Sequence, residues 1–88
     1  MPNIEVYSSL FCPYCARAKN LLKNKGAAFT EIDVDGDPAV RIAMMERAEG
    51  RTSVPQVFFD GELIGGSDDL MALEMSGELD RRLQAAGE

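Results

Sequence analysis

The sequence contains no histidine and no tryptophan, and only two of its 88 residues are cysteine. Without histidine, the chain cannot form a Ser-His-Asp triad, a histidine general base or a zinc finger with Cys and His ligands. Two cysteines are also too few for a four-cysteine zinc site within one chain. These absences exclude several common classes of enzyme and metal-binding module.

Positive charge and long apolar runs are also scarce. Nine Lys and Arg residues against fifteen Asp and Glu residues give a net charge of -6, which argues against binding to nucleic-acid phosphates or anionic lipid. No apolar stretch approaches the roughly 18 residues of a membrane-spanning helix, and the first residues do not resemble a signal peptide. We therefore expect a cytoplasmic protein that binds neither nucleic acid nor membrane, and whose thiols are kept reduced.

Length and hydrophobic periodicity predict a single α/β domain over residues 1–88. Apolar alternation predicts strands at 4–7, 29–34, 55–59 and 62–64, and helical spacing with caps predicts helices at 13–26, 38–49 and 67–77, with a short one around residues 79–83. Asp60-Gly61 is a typical hairpin turn. Because a strand–helix–strand unit is right-handed and parallel while a hairpin is antiparallel, we expect a four-stranded mixed sheet flanked by helices.

The chemistry is predicted at Cys12-Pro13-Tyr14-Cys15. Pro13 suits the first position of a helix, so Cys12 lies at the helix N-terminus, where backbone N–H groups and the helix dipole favour a thiolate. Cys15 lies one turn further on and faces the core. The spacing therefore indicates an asymmetric redox pair, in which Cys12 attacks a disulfide and Cys15 resolves the mixed disulfide.

Other interpretations of the two cysteines remain open at this stage. They could supply half of a zinc site shared with another chain, form a static disulfide, or be two unrelated buried thiols. The redox interpretation is favoured because the Cys-x-x-Cys spacing occurs within a predicted βαβ unit, the context of a thioredoxin-like redox motif.

Three separated motifs make the sequence resemble a glutaredoxin of the dithiol class. They are Cys12-Pro13-Tyr14-Cys15, Thr52-Ser53-Val54-Pro55 and Gly65-Gly66-Ser67-Asp68-Asp69. The resemblance implies a thioredoxin-like fold, a cis peptide bond before Pro55, and glutathione-dependent reduction of protein disulfides and glutathione mixed disulfides. It implies glutathione as co-substrate, disulfide-containing or glutathionylated client proteins as partners, and no metal. The small size and acidic charge favour a monomer.

The resemblance also implies where glutathione binds. The Val54 backbone would pair with the tripeptide next to Pro55, and Tyr14 would pack beside the sulfur. Ser67 and Asp68 begin a helix and would bind the γ-glutamyl end, with Ser67 as the cap. The family often has a Lys shortly before the first cysteine, which this sequence lacks. Arg41 is therefore the candidate cation for the glycyl carboxylate, and Lys19 and Arg51 are the next candidates.

Two alternatives to a glutaredoxin enzyme are a cluster-binding module and a thioredoxin. In the first, two chains hold an iron–sulfur cluster through Cys12 and glutathione; Pro13 and Cys15 argue against it, and a brown protein would support it. In the second, the chain is a thioredoxin proper, but the Trp-Cys-Gly-Pro-Cys pattern is absent.

Met44, Met45, Met71 and Met75 are predicted to be core residues, and the acidic segment 33–37 is predicted to be a solvated turn with a helix cap.

Overall fold

Four strands form one mixed sheet at the centre of the computed structural model, which describes residues 1–85. In chain order the elements are β1 (Ile4–Ser8), α1 (Pro13–Asn24), β2 (Thr30–Asp33), α2 (Pro38–Arg47), β3 (Gln56–Phe59), β4 (Glu62–Gly65), α3 (Ser67–Ser76) and α4 (Glu78–Ala85). The strands lie in the order β2-β1-β3-β4. β1 is parallel to β2 and antiparallel to β3, and β3 is antiparallel to β4. The predicted four-stranded mixed sheet is therefore confirmed.

Helices cover both faces of the sheet because side chains alternate along each strand. One face packs against α1, α3 and α4, and its buried residues are Ile4, Val6, Ala18, Leu22, Ala27, Val57, Phe59, Leu70, Leu79 and Leu83. The opposite face carries Tyr7 and Phe58, which pack with Met44 of α2 and with Ala48, the residue that follows this helix. The two cores fix α1 and α2 on opposite sides of β1.

Arg47 of α2 fastens that helix to the sheet. Its guanidinium donates to Glu5 Oε1 at 2.8 Å and to the Tyr7 hydroxyl at 2.9 Å. It also lies 4.2 Å from the centre of the Phe58 ring, where a cation is attracted to the aromatic face. The Arg47 side chain lowers the pKa of the Glu5 carboxyl, chiefly through their hydrogen bonds.

The predicted cap of α3 is wrong by one residue. Gly66 is the N-cap and Ser67 is the first residue of the helix. The Gly66 N–H donates to the Asp69 carboxylate at 2.9 Å, so an acidic side chain within the first turn binds the amide at the helix start. The N-cap of α2 is as predicted: Asp37 Oδ1 accepts from the Ala39 amide at 2.9 Å.

The methionines are only partly in the core. Met44 is fully buried, whereas Met75 is 85% exposed, so the core prediction is wrong for Met75. Residue 75 lies five positions after the buried Leu70, which places it about 140° away around the helix.

Within residues 1–85, no helix is both long and apolar enough to span a bilayer.

Candidate active site

Cys12 is the N-cap of α1, as the proline after it predicts. Its sulfur accepts a hydrogen bond from the Cys15 backbone N–H at 3.1 Å, and its side chain is partly exposed. A backbone donor is thus directed at the sulfur that the sequence assigns to nucleophilic attack. Tyr14 stands beside it with its ring under the Arg17 guanidinium, 5.6 Å from the ring centre.

Cys15 has a different environment, although it is only three residues away. It is 1% exposed and packs below the helix start. Burial raises the pKa of the Cys15 thiol to about 11, and the hydrogen bond with Cys12 adds to this; the Ser9 backbone N–H and the charge of Lys19 act in the opposite direction. At neutral pH Cys15 is therefore a protonated, sheltered thiol.

The segment before β3 lies against the Cys12 sulfur. The Val54 carbonyl oxygen is 3.8 Å from the Cys12 sulfur, and the Val54–Pro55 peptide bond is cis, as the family resemblance implies. Gln56 Nε2 donates to the Ser53 carbonyl at 3.0 Å, which closes the turn from within. Val54 thus contacts the Cys12 sulfur and also lines a groove next to it.

That groove encloses about 270 Å³ between the 53–56 segment and the start of α3. Its lining residues are Tyr14, Arg51, Ser53, Val54, Pro55, Gln56, Gly66, Ser67, Asp68 and Asp69. Five of the residues predicted to bind glutathione therefore meet in one place: Tyr14, Val54, Pro55, Ser67 and Asp68. Among residues 1–85, the buried Ser67 Oγ and Gln56 Oε1 have no hydrogen-bond partner, so the groove wall carries unused polar atoms.

Two glycines allow other groups to approach the backbone closely at the groove wall. A Cβ on Gly66 would lie 3.3 Å from the Pro55 carbonyl oxygen. Gly65 has a φ of +119°, and a Cβ there would overlap the Asp69 carboxylate and come within 2.9 Å of the Arg51 guanidinium. Only glycine adopts that conformation readily, which gives a physical reason for the Gly65-Gly66 pair in the third motif.

Two arginines flank the site; Arg41 is the first candidate ligand from the sequence, and Arg51 is one of the next candidates. Arg41 is not among the groove-lining residues; it donates to the Thr52 carbonyl at 2.9 Å. The pKa of the Asp35 carboxyl is lowered chiefly by hydrogen bonds from the Leu10 N–H and the Ser9 hydroxyl, and the charge of Arg41 adds to this. Arg51 lines the groove and pairs with Asp69 at 3.0 Å. No motif marks Arg51, because its place in the groove depends on the turn after α2.

Asp35 is a site-adjacent residue that sequence analysis missed. Its carboxylate accepts from Ser9 Oγ at 2.8 and 2.9 Å and from the Leu10 N–H at 3.0 Å. The predicted turn with a helix cap at Asp37 is present, but Asp33 still belongs to β2 and Val34 is buried, so the segment is only partly solvated. Asp35 is also bound to the loop before Cys12. Across residues 1–85, no cluster of three or more Cys, Asp or Glu side chains could hold a metal ion.

Comparisons with known proteins agree with the geometry. The glutaredoxin family model matches residues 4–64. Glutaredoxin 3 of Escherichia coli strain K12 is 51% identical over 84 residues, which cover 96% of this chain and 100% of that protein. A solution structure of glutaredoxin from Brucella melitensis is 48% identical with a TM-score of 0.85, covering 100% of this chain and 94% of that one.

A crystal structure of a buckwheat glutaredoxin–glutathione complex is 32% identical with a TM-score of 0.88, and the match covers 98% of this chain and 80% of that chain. The fold shared with these structures, a four-stranded mixed sheet with helices on both faces, is thioredoxin-like. The whole-chain identity, the family match and the shared fold lead to one conclusion. The chain belongs to the glutaredoxin family.

Proposed function

We propose that Cys12 and Cys15 carry out the reaction of this chain, a glutathione-dependent thiol–disulfide oxidoreductase that reduces protein disulfides and glutathione mixed disulfides. The observation that supports these roles is the contrast between the two thiols. The Cys12 sulfur is accessible and receives the Cys15 N–H at the start of α1. The Cys15 thiol is buried, with its pKa raised to about 11.

The reaction begins at Cys12. Its thiolate attacks one sulfur of a client disulfide, the second client sulfur leaves and takes up a proton, and a Cys12–client mixed disulfide forms. Cys15 then loses its proton and attacks the Cys12 sulfur, which releases the client as a dithiol and leaves a Cys12–Cys15 disulfide. Two glutathione molecules reduce that disulfide and leave as glutathione disulfide.

A glutathionylated substrate needs only Cys12. Attack on the glutathione sulfur releases the client thiol and leaves glutathione on Cys12. A second glutathione then attacks the glutathione sulfur of this adduct, which gives glutathione disulfide and free Cys12. Cys15 is required for the first route and not for this one.

The groove supports a binding mode for glutathione. Its sulfur lies at Cys12, and its backbone pairs with Val54 next to Pro55, with Tyr14 alongside. The N–H groups of the first helical turn have no partners within a helix, so those of Ser67 and Asp68 donate to the γ-glutamyl carboxylate. The Asp68 carboxylate accepts from the ligand ammonium. The glycyl carboxylate reaches Arg41, which keeps free N–H groups after its bond to Thr52.

The setting that we propose is the reducing cytoplasm, with residues 1–88 acting as one domain and as a monomer. A reducing compartment supplies the glutathione that the reaction consumes and keeps both cysteines as thiols. Both hydrophobic cores are completed within the single chain, which supports a monomer. The partners are client proteins that carry a disulfide or a bound glutathione, and the chain passes electrons from glutathione to them.

A coupled assay tests this proposal. Purified protein is given glutathione, glutathione reductase and a nicotinamide cofactor, with either a protein disulfide or a glutathione mixed disulfide as substrate. We expect Cys12→Ser to lose both activities, and Cys15→Ser to lose protein-disulfide reduction while it keeps deglutathionylation. Substantial activity in Cys12→Ser would contradict the assigned roles.

A further inference from the structure

Three large apolar side chains stand exposed around Cys12. Leu10 is 78% exposed, Phe11 is 91% exposed and Tyr14 is 56% exposed. Of the six large apolar residues that are exposed within residues 1–85, half fall in this five-residue stretch. Single exposed apolar residues are ordinary, but a cluster of them marks an interaction surface.

The loop that carries Leu10 and Phe11 is held in place. Asp35 accepts hydrogen bonds from the Ser9 hydroxyl and from the Leu10 N–H, at 2.8–3.0 Å. The Ser8 hydroxyl at the end of β1 donates to Glu31 at 2.6 Å. The two apolar side chains are thus presented on an anchored turn, which lowers the ordering cost of binding a partner there.

Glutathione does not account for this surface. The groove that we assign to it is lined by Tyr14, Arg51 and residues 53–56 and 66–69, and neither Leu10 nor Phe11 is among its lining residues. A protein client differs from glutathione because its chain continues on both sides of the bonded cysteine. Its flanking side chains can therefore cover the residues that precede Cys12.

We propose that Leu10 and Phe11 form a docking surface for apolar side chains next to the disulfide cysteine of client proteins. The inference rests on the proposed function, since the mixed disulfide with Cys12 is what brings the client to this surface. Burial of Leu10 and Phe11 favours the client mixed disulfide over the glutathione mixed disulfide. The surface therefore selects among clients by the residues beside their cysteines.

An exchange equilibrium tests this inference without relying on turnover. The Cys15→Ser variant is used so that the adduct on Cys12 persists. Glutathione on Cys12 is exchanged with a peptide thiol, giving the Cys12–peptide disulfide and free glutathione, and the ratio is read by mass spectrometry. Two peptides are compared, identical except that Leu or Ser flanks the single cysteine. The double variant Leu10→Ser/Phe11→Ser is compared with Met75→Ser, which removes an equally exposed side chain from the far end of α3.

We expect the Leu-flanked peptide to displace glutathione better than the Ser-flanked one, by about 5- to 30-fold. The double variant should lose this preference, and Met75→Ser should keep it. Equal exchange constants for both peptides, or a preference that survives the double variant, would overturn the docking surface and leave the proposed function intact. Failure of Cys12 to form either mixed disulfide would overturn both. Leu10, Phe11 and Met75 are all exposed, and circular dichroism checks that the variants fold.

Discussion

At the residue scale, the two cysteines differ because of where α1 begins. Cys12 is outside the helix and receives a backbone N–H, whereas Cys15 is inside the first turn and is buried. A buried thiol resists ionisation because the thiolate loses its hydration. The three-residue spacing thus places the two sulfurs in different environments within one motif.

The raised pKa of Cys15 predicts how its step depends on pH. Below a pKa of about 11, the thiolate fraction of Cys15 rises about tenfold for each pH unit. Release of glutathione from a Cys12–glutathione adduct by Cys15 should therefore speed up steadily from pH 6 to pH 9. Single-turnover release, followed by rapid quenching, measures this. A rate that stops rising near pH 7 would contradict the account.

The arginines make a second prediction at this scale. Arg41→Ala should raise the glutathione concentration needed for half-maximal rate by about 5- to 30-fold, because a charge-assisted contact to the glycyl carboxylate is lost. Arg51→Ala is the matched comparison, since Arg51 lines the groove and pairs with Asp69. A larger effect in Arg51→Ala would show that the glycyl carboxylate binds Arg51 rather than Arg41.

At the element scale, the sequence predicts strands, helices and their caps better than it predicts contacts between loops. Alternation in β1 and the caps of α1 and α2 are local signals, and the structure confirms them. The contacts of Asp35 with Ser9 and of Arg51 with Asp69 join residues 26 and 18 positions apart. Such pairings depend on how the loops close after the elements have packed, so sequence periodicity carries no sign of them. The same reason explains why the sequence placed Arg51 behind Arg41 as a candidate at the glutathione site.

The junction between β4 and α3 provides an element-scale prediction. Gly65→Ala should lower the free energy of unfolding by about 1–3 kcal/mol, because the positive φ is strained for alanine and the new Cβ displaces Asp69. It should also weaken glutathione binding by distorting the groove wall. Gly36→Ala is the control, since its Cβ would meet nothing within 4 Å. Chemical denaturation and the glutathione dependence of the rate measure both effects, and equal results for the two variants would contradict the prediction.

At the scale of the whole molecule, Arg47 couples α2 to the central sheet. Arg47→Met should lower the free energy of unfolding by about 1–2 kcal/mol, because the bonds to Glu5 and Tyr7 and the contact with Phe58 are lost together. Arg81→Met, which removes an exposed pair with Glu78, should cost much less. Urea denaturation compares the two variants.

Acid should weaken the ion pair between Arg47 of α2 and Glu5 of the sheet. The pKa of Glu5 is lowered in the folded chain, so its carboxylate stabilises the fold above the ordinary carboxyl pKa of about 4.3. That contribution is lost as the pH falls through the lower folded value. Glu5→Gln should therefore show a smaller loss of stability than the parent chain between pH 6 and pH 3. An identical pH dependence in both proteins would contradict this role of Glu5.

The central claim is that only Cys12 attacks the substrate, and that Cys15 resolves the mixed disulfide formed with a client protein. The most direct measurement is to mix each single cysteine variant with a glutathionylated peptide, quench within the first turnover, and map the glutathione adduct by mass spectrometry. The account predicts a rapid adduct on Cys12 in Cys15→Ser, and almost none on the buried Cys15 in Cys12→Ser. Adducts that form at equal rates on the two sulfurs would contradict it.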